Sequence, residues 1–496
     1  MTVLFRIEHA NRIHHAQNSA FQNRWGAGIM GKQKLKIQDL SIISFPSEVA
    51  KSLSLNIMNR RFKHLSNDKK LELIKHVLAD PKAYLDNELL GLLAHKLHSP
   101  VREDFKTYEL RDTAMPFEVF GNKHIETNAL KQMESVMRLP VVVRGALMPD
   151  AHQGYGIPIG GVIATKNEVI PYGVGMDIGC RMALSILDLP GSYVDHHAYK
   201  IKKVLQEHTH FGNDGGLDSG PYHELLDAPS FRETALLKKL HGKATRQLGS
   251  SGSGNHFVEM GTVELLDQNN LGLRAGSYAA ILSHSGSRSL GANIATYYTD
   301  IAMKKCKLPR EAKHLAWLDL NSEEGQEYWL SMNLAGDYAR ACHDVIHQNI
   351  RSALGISALG VFENHHNFAW KEKLADGGEY IVHRKGATPA AKGTFGIIPG
   401  SMTAPGYIVS GRGNDLSLNS AAHGAGRKLS RLKAKNSVTM SSLRKDLQAN
   451  KITLIGGSPE EAPSAYKDIE LVMRSQTMLI NIEGKFHPRI VRMAKD

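Results

Sequence analysis

From about residue 115 onward, short apolar runs rich in β-branched residues alternate with loops dense in glycine, histidine, aspartate and serine. Such runs occur at 139–143, 161–165, 279–282 and 451–455. Runs this short, bounded by turn residues, read as buried strands rather than helices. Loops this polar cannot be buried without partners, so they collect where a rigid scaffold presents chemistry. The pattern predicts an α+β domain with central β-sheets and polar active-site loops. One helical segment, 323–354, carries Tyr338, Val345, Ile346 and Ile350 on its apolar positions. No stretch of linker composition interrupts 115–496, so that span is taken as one domain.

The chain before it is of a different kind. Residues 1–29 are polar and rich in His and Asn, and an ordinary domain opening starts at Met30. They are expected to be a disordered or misassigned extension. Residues 30–114 form a small helical region, with two helices expected over 66–98. Ser66 can cap the first, Pro81 breaks it, and Leu89, Leu93 and Leu97 recur at i+4 spacing. This region offers packing and no catalytic residue. The stretch 212–221 reads as a glycine-rich surface loop.

Charge and cysteine content narrow the function. Among 496 residues, 61 Lys and Arg outnumber 49 Asp and Glu, a net charge of +12. That surplus makes a polyanion such as RNA a natural partner, because phosphate contacts gain from counterion release. The first residues, with Arg6, Glu8 and Arg12, lack the apolar core of a secretory signal. No window has the ~18 uncharged apolar residues of a membrane span. Three cysteines, Cys180, Cys306 and Cys342, are too few and too scattered for a disulfide framework, which points to a reducing cytoplasm.

The polar loops hold the candidate chemistry. Asp177 and Cys180 lie three apart in a glycine-flanked loop, and a carboxylate beside a thiolate suits a borderline cation such as Mn²⁺, Co²⁺ or Zn²⁺. His256 follows the flexible run 249–254, His284 ends an apolar run, and His365-His366 are adjacent. Neighbours on a strand point oppositely, so one of that last pair is expected in the site. His343 and His347 share a helix face without the glutamate of a zinc-protease motif, and are read as packed core residues. Arg384, Lys385 and Arg427 are candidate phosphate clamps. His423 stands between small residues, as a nucleophile meeting a large electrophile requires.

Eight segments, in order, carry a resemblance: MPDAHQGYGIPIGG (148–161), GVGMDIGC (173–180), GSGNHFVE (252–259), HSGSR (284–288), HHN (365–367), HRKGAT (383–388), IPGSM (398–402) and HGAGR (423–427). Together they resemble the RtcB family of RNA ligases, densely over 115–496, as in a divergent bacterial member. The resemblance implies GTP- and Mn²⁺-dependent joining of RNA 2′,3′-cyclic phosphate or 3′-phosphate ends to 5′-hydroxyl ends, in RNA repair or tRNA splicing. It implies two Mn²⁺ ions held by Asp177, Cys180, His256, His284 and His366, with Cys180 shared, and His423 as the nucleophile that takes GMP. Asn255, His256, Phe257, Val258, Glu259, His366, Asn367, Pro399, Gly400, Ser401, Met402, His423, Gly424, Ala425, Gly426 and Lys495 would line the guanylate pocket. Asp150, His152, Arg288 and Lys385 would contact RNA phosphates or aid the hydrolytic step. An archease-type activating protein is a candidate partner.

The sequence departs from the family pattern at Arg181, Ser289 and 403–406, where Gly406 replaces a serine expected at the guanylate. These departures bear on nucleotide affinity rather than on the metal and nucleophile positions. Two alternatives remain open from sequence: an enzyme that caps 3′-phosphates with GMP without sealing, and a non-catalytic RNA- or ribosome-binding factor on the same scaffold.

Overall fold

The computed structural model describes residues 34–45, 48–98, 105–212, 217 and 220–495. The expected extension 1–29 and most of the loop 212–221 lie outside the described residues. The chain divides into two compact units, Met1–Asp104 and Phe105–Asp496. The second therefore begins before residue 115, since Lys106 and Thr107 already pair in parallel with Cys306 and Lys307.

The first unit holds helices α1 (Glu48–Arg61), α2 (Asn67–Ala79) and α3 (Gly91–His98). At the start of α2, the Ser66 hydroxyl accepts from the Lys69 amide, as its cap position requires. Pro81 opens a 3₁₀ turn, Pro81–Tyr84, between α2 and α3. Leu73, Ile74 and Val77 of α2 meet Met58, Leu90, Leu93 and Ala94 in a core built entirely from this unit. Helix α1 has no counterpart in the sequence-based reading, because its apolar positions are diluted by Ser, Asn and Arg.

The second unit is α+β. In chain order it contains α4 (Thr127–Met137), β1 (Val142–His152), β2 (Ile159–Thr165), β3 (Arg181–Pro190), β4 (Phe257–Leu265), β5 (Gly276–Ser285), α5 (Arg288–Lys305) and α6 (Glu323–Leu354). There follow β6 (Ala358–His365), β7 (Asn367–Lys373), β8 (Glu379–Lys385), β9 (Phe395–Ile398), β10 (Gly406–Gly411), β11 (Thr453–Gly457) and β12 (Ile480–Lys495). Among the described residues, two sheets dominate. One runs β6-β3-β5-β4-β12-β10-β9, with β11 added beside β12; the other runs β7-β8-β2-β1 and ends on Glu118–Val119.

Alternation along β5 shows why the centre of the first sheet is buried on both faces. Ala279 and Ile281 face a core that includes Ile346, Ile350 and Leu354 of α6. Ala280 and Leu282 face the opposite core with Ile397, Ile408 and Phe486. Helix α6 covers the predicted segment 323–354; the Ser322 hydroxyl caps it and Gly355, at φ 72°, ends it. No helix among the described residues is long and apolar enough to cross a membrane.

Register sets up the site. β5 is antiparallel to both β3 and β4, and β3 is antiparallel to β6. His284 pairs with Met182 and with Phe257, while His365 pairs with Arg181. The beginnings of β3 and β4 and the ends of β5 and β6 therefore lie along one edge of the sheet. Cys180, His256, His284 and His366 all fall there.

Candidate functional site

At that edge the side chains of four separated segments meet. The Cys180 Sγ lies 3.2 Å from His284 Nε2 and 3.5 Å from His256 Nε2, and His284 Nε2 lies 3.3 Å from His366 Nε2. Asp177 Oδ2 is 3.0 Å from His256 Nε2. Two groups of potential metal ligands result, Cys180 with His284 and His366, and Asp177 with Cys180 and His256. Cys180 belongs to both. His284 Nδ1 faces the Asn255 carbonyl at 2.9 Å, and donating there leaves its Nε2 with a free electron pair. The other oxygen of Asp177 accepts from the Ser287 amide at the start of α5, which anchors the carboxylate.

Electrostatics favour electron-pair donors here. Burial lowers the pKa of His284 to about 3, helped by the neighbouring His256, and burial with the nearby His423 holds His366 well below its ordinary value. Both imidazoles are neutral at pH 7. Burial opposes ionisation of Asp177, yet the hydrogen bond and charge of His256 outweigh it and lower its pKa. Burial, with Asp177 alongside, pushes the Cys180 thiol well up; a bound cation reverses such a shift. Sulfur, nitrogen and oxygen ligand atoms lying within 4.8 Å of one another in each group fit a divalent cation, which would displace the proton that His256 Nε2 shares with Asp177.

The nucleophile candidate sits beside this cluster. The His423 ring lies 5.0 Å, centre to centre, from that of His366. Its Nδ1 is 2.6 Å from Asp150 Oδ2, which also accepts from the His423 amide at 3.2 Å. Nδ1 therefore carries the proton and Nε2 is left with its electron pair free. Asp150 is fully buried on β1, so it cannot be the RNA contact expected from sequence. It orients His423 instead. Gly426 has φ 74°, and a Cβ there would stand 2.1 Å from the Asp150 carbonyl oxygen, so the turn after His423 requires glycine.

A cavity of about 840 Å³ opens onto the cluster. It is lined by Asn255, Phe257, Glu259, Asn367, Pro399, Gly400, Ser401, Met402, His423, Gly424, Ala425 and Gly426, by Gly406, and by His152 and Lys385. Burial raises Glu259 to about 8 and lowers His152 to about 4. Two candidates for the guanylate pocket fall elsewhere. Val258 points to the opposite face of β4 and is buried against α6, because its neighbours Phe257 and Glu259 take the cavity face. Lys495 lines a second cavity with Arg444 and Lys451, since the pairing of β12 with β11 carries the chain end there.

Several basic residues serve the structure. Arg384 is fully buried in an ion pair with Glu372 and is no phosphate clamp. Arg288 is directed to Ser250 Oγ and the Gly212 carbonyl behind His256, outside the cavity lining. Arg427 pairs with Glu461 at the cavity wall. Lys385, held to about 8 by burial, donates to the Tyr155 carbonyl. Arg181 turns from Cys180 to Glu363, 2.8 Å away, so its charge is balanced. His343 and His347 meet at Ser283 Oγ, at 2.6 and 2.7 Å, and stay outside the metal-ligand groups. His365 stacks on Trp370, which leaves His366 as the one of the pair in the cluster.

A sequence model of the family described as "tRNA-splicing ligase RtcB" matches residues 132–228 and 218–493. The chain belongs to the RtcB family. It is similar to the RNA-splicing ligase RtcB of Escherichia coli strain K12, with 32% identity over 395 residues, 72% of this chain and 92% of that protein. The tRNA-splicing ligase RtcB of Nanoarchaeum equitans is 32% identical over 438 residues, covering 73% of this chain and 91% of its own length. That of Thermococcus kodakarensis is 30% identical over 435 residues, covering 73% and 90%. The RtcB match begins at residue 132, so the helical unit of α1 to α3 lies outside it.

The cavity also has lining residues that no motif reading singled out. Tyr155, Tyr172, Met176, Ser430, Arg431 and Lys433 are among them. Arg431 and Lys433 follow HGAGR within ten residues, and Tyr155 lies inside a family segment between two glycines. Both signals were present in the chain, but position alone does not tell a lining residue from a surface one.

Proposed function

We propose that this chain is an RNA ligase that joins 2′,3′-cyclic phosphate or 3′-phosphate ends to 5′-hydroxyl ends through a covalent His423–GMP intermediate. The observation that carries the reading is His423, fixed through Nδ1 by buried Asp150 and opening Nε2 into the cavity that holds the metal-ligand cluster. Family membership and the RNA-ligase names of the relatives support it.

Asp177, Cys180 and His256 would hold one divalent cation, and Cys180, His284 and His366 a second, which we take to be Mn²⁺; the ions would neutralise phosphate charge. His423 Nε2 attacks the α-phosphorus of GTP and pyrophosphate leaves, giving a phosphoramidate. The GMP passes to an RNA 3′-phosphate, after water opens any cyclic end. The 5′-hydroxyl then attacks that activated phosphate, the phosphodiester forms and GMP departs. Asp150 keeps the proton at Nδ1 and stabilises charge on the ring during the first step. Glu259 and Asn255 line the cavity as polar groups for the guanine. The basic net charge supports an RNA substrate, and free cysteines with a metal-ligating Cys180 suit a reducing cytoplasm.

The test is direct. Protein, Mn²⁺ and GTP labelled in the α-phosphate should yield acid-labile labelled protein, and His423→Ala should abolish the label. Label that survives the substitution removes His423 from its role. Adding 3′-phosphate and 5′-hydroxyl RNAs should give a sealed strand; accumulation of GMP-capped 3′ ends alone would favour the capping reading.

A further inference from the structure

One aromatic ring stands out at the cavity. Tyr155 is 80% exposed, yet it lines the same cavity as His423 and the metal-ligand cluster. An exposed tyrosine is unremarked on a mobile loop, but here the backbone on either side is tied down. The Gln132 side chain on α4 donates to the carbonyls of Gly154 at 2.8 Å and Gly156 at 2.6 Å, and accepts from the Gly154 amide at 3.1 Å. Lys385 donates to the carbonyl of Tyr155 itself. Gly156, at φ 73°, lies so close to Tyr172 that a Cβ would stand 2.7 Å from that ring. The backbone is thus held by polar contacts and close packing, while the Tyr155 side chain is left to solvent.

This is how a protein presents a flat apolar surface at low entropic cost: the backbone is ordered before the ligand arrives, and only the two side-chain torsions of the ring remain to be fixed. Tyr155 lies five residues from Asp150, so its Cα is within about 18 Å of the residue that orients His423. Aromatic rings presented this way stack on unpaired nucleobases of any identity. We propose that Tyr155 is a stacking platform for an unpaired base at the RNA end being joined, positioning that end at His423. The inference rests on the ligase reading and assigns its substrate a contact that is base-dependent but not base-selective. A docking site for a partner protein is the competing explanation, which the shared cavity and the net positive charge disfavour.

The experiment pairs the enzyme variant with a matching RNA variant. Steady-state ligation is measured for wild type, Tyr155→Ala, Tyr155→Phe and Tyr155→Trp. The substrates are intact RNA ends and ends whose terminal nucleotide is abasic, at the 3′-phosphate or the 5′-hydroxyl side in turn. The expected result is a rise of about tenfold or more in KM for RNA with Tyr155→Ala, and near wild-type values with Phe and Trp. At one of the two termini, removing the base should cost wild type a similar factor and cost Tyr155→Ala nothing further. Equal base-removal penalties in wild type and Tyr155→Ala at both termini overturn the proposal, as does an unchanged KM in Tyr155→Ala. Failure of wild type to become labelled on His423 would instead defeat the ligase reading, so the two failures are distinguishable.

Discussion

Asp150 and His423 are 273 residues apart in the chain and share two hydrogen bonds. The carboxylate is fully buried, and nothing in its sequence neighbourhood marks it as the partner of an imidazole. Its role is to hold one tautomer. Asp150→Asn keeps the size but can turn an N–H toward Nδ1, placing the ring proton on Nε2, the atom proposed to attack GTP. Guanylylation should fall at least about 100-fold, measured as the single-turnover rate of label transfer from GTP, with the unfolding midpoint little changed. A rate within a few fold of wild type would show that Asp150 does not set the tautomer. Lys385 and Arg384 make the complementary point at the residue scale. Adjacent on β8, they face opposite sides of the sheet, so one reaches the cavity and the other ends in an ion pair with Glu372.

At the scale of the element, α6 carries histidines that the sequence could have offered as ligands. His347 is buried between Ser185 and Ser283, and burial lowers its pKa to about 3, with Arg351 adding to the effect. In the unfolded chain it takes up a proton near pH 6.5. Between those values the unfolded state binds more protons, so stability is fully present above about pH 6.5 and is lost as pH falls toward 3. Each such histidine contributes up to about 1.4 kcal/mol per pH unit in that window. Denaturant unfolding from pH 7 to pH 4.5 should show this loss, and His347→Gln should reduce the slope by up to one proton. An unchanged slope in the variant would mean that His347 titrates normally in the folded protein. The helix itself was plain in the sequence, because thirty-two residues of amphipathic pattern ending at glycine leave little choice.

Across the whole molecule, the metal-ligand groups draw on residues from 177 to 366, brought together by four strand ends of one sheet. A cation held there ties those segments and binds only the folded state, so it should raise stability. At a hundredfold excess over its Kd, Mn²⁺ should add about 2.7 kcal/mol, seen as a higher unfolding midpoint that falls on chelation. Cys180→Ala, which touches both ligand groups, should abolish the gain; a variant stabilised by Mn²⁺ as much as wild type would place the ions elsewhere. The helical unit of α1 to α3 has its own core and lies outside the RtcB match, so this prediction concerns the second unit.

The sequence by itself determined four apolar strand runs, the long helix and the glycine-rich motifs, because apolar periodicity and turn chemistry are local properties. It also carried the family resemblance and the candidate ligands, since residue types in fixed order are read along the chain. Which way a side chain faces and what meets it across the fold were decided by register and packing. That is why Val258 went to the core, Lys495 to a second cavity and Asp150 to His423. A one-residue step along a strand reverses the face, and the partner on that face comes from hundreds of residues away, so only the folded chain could assign those roles.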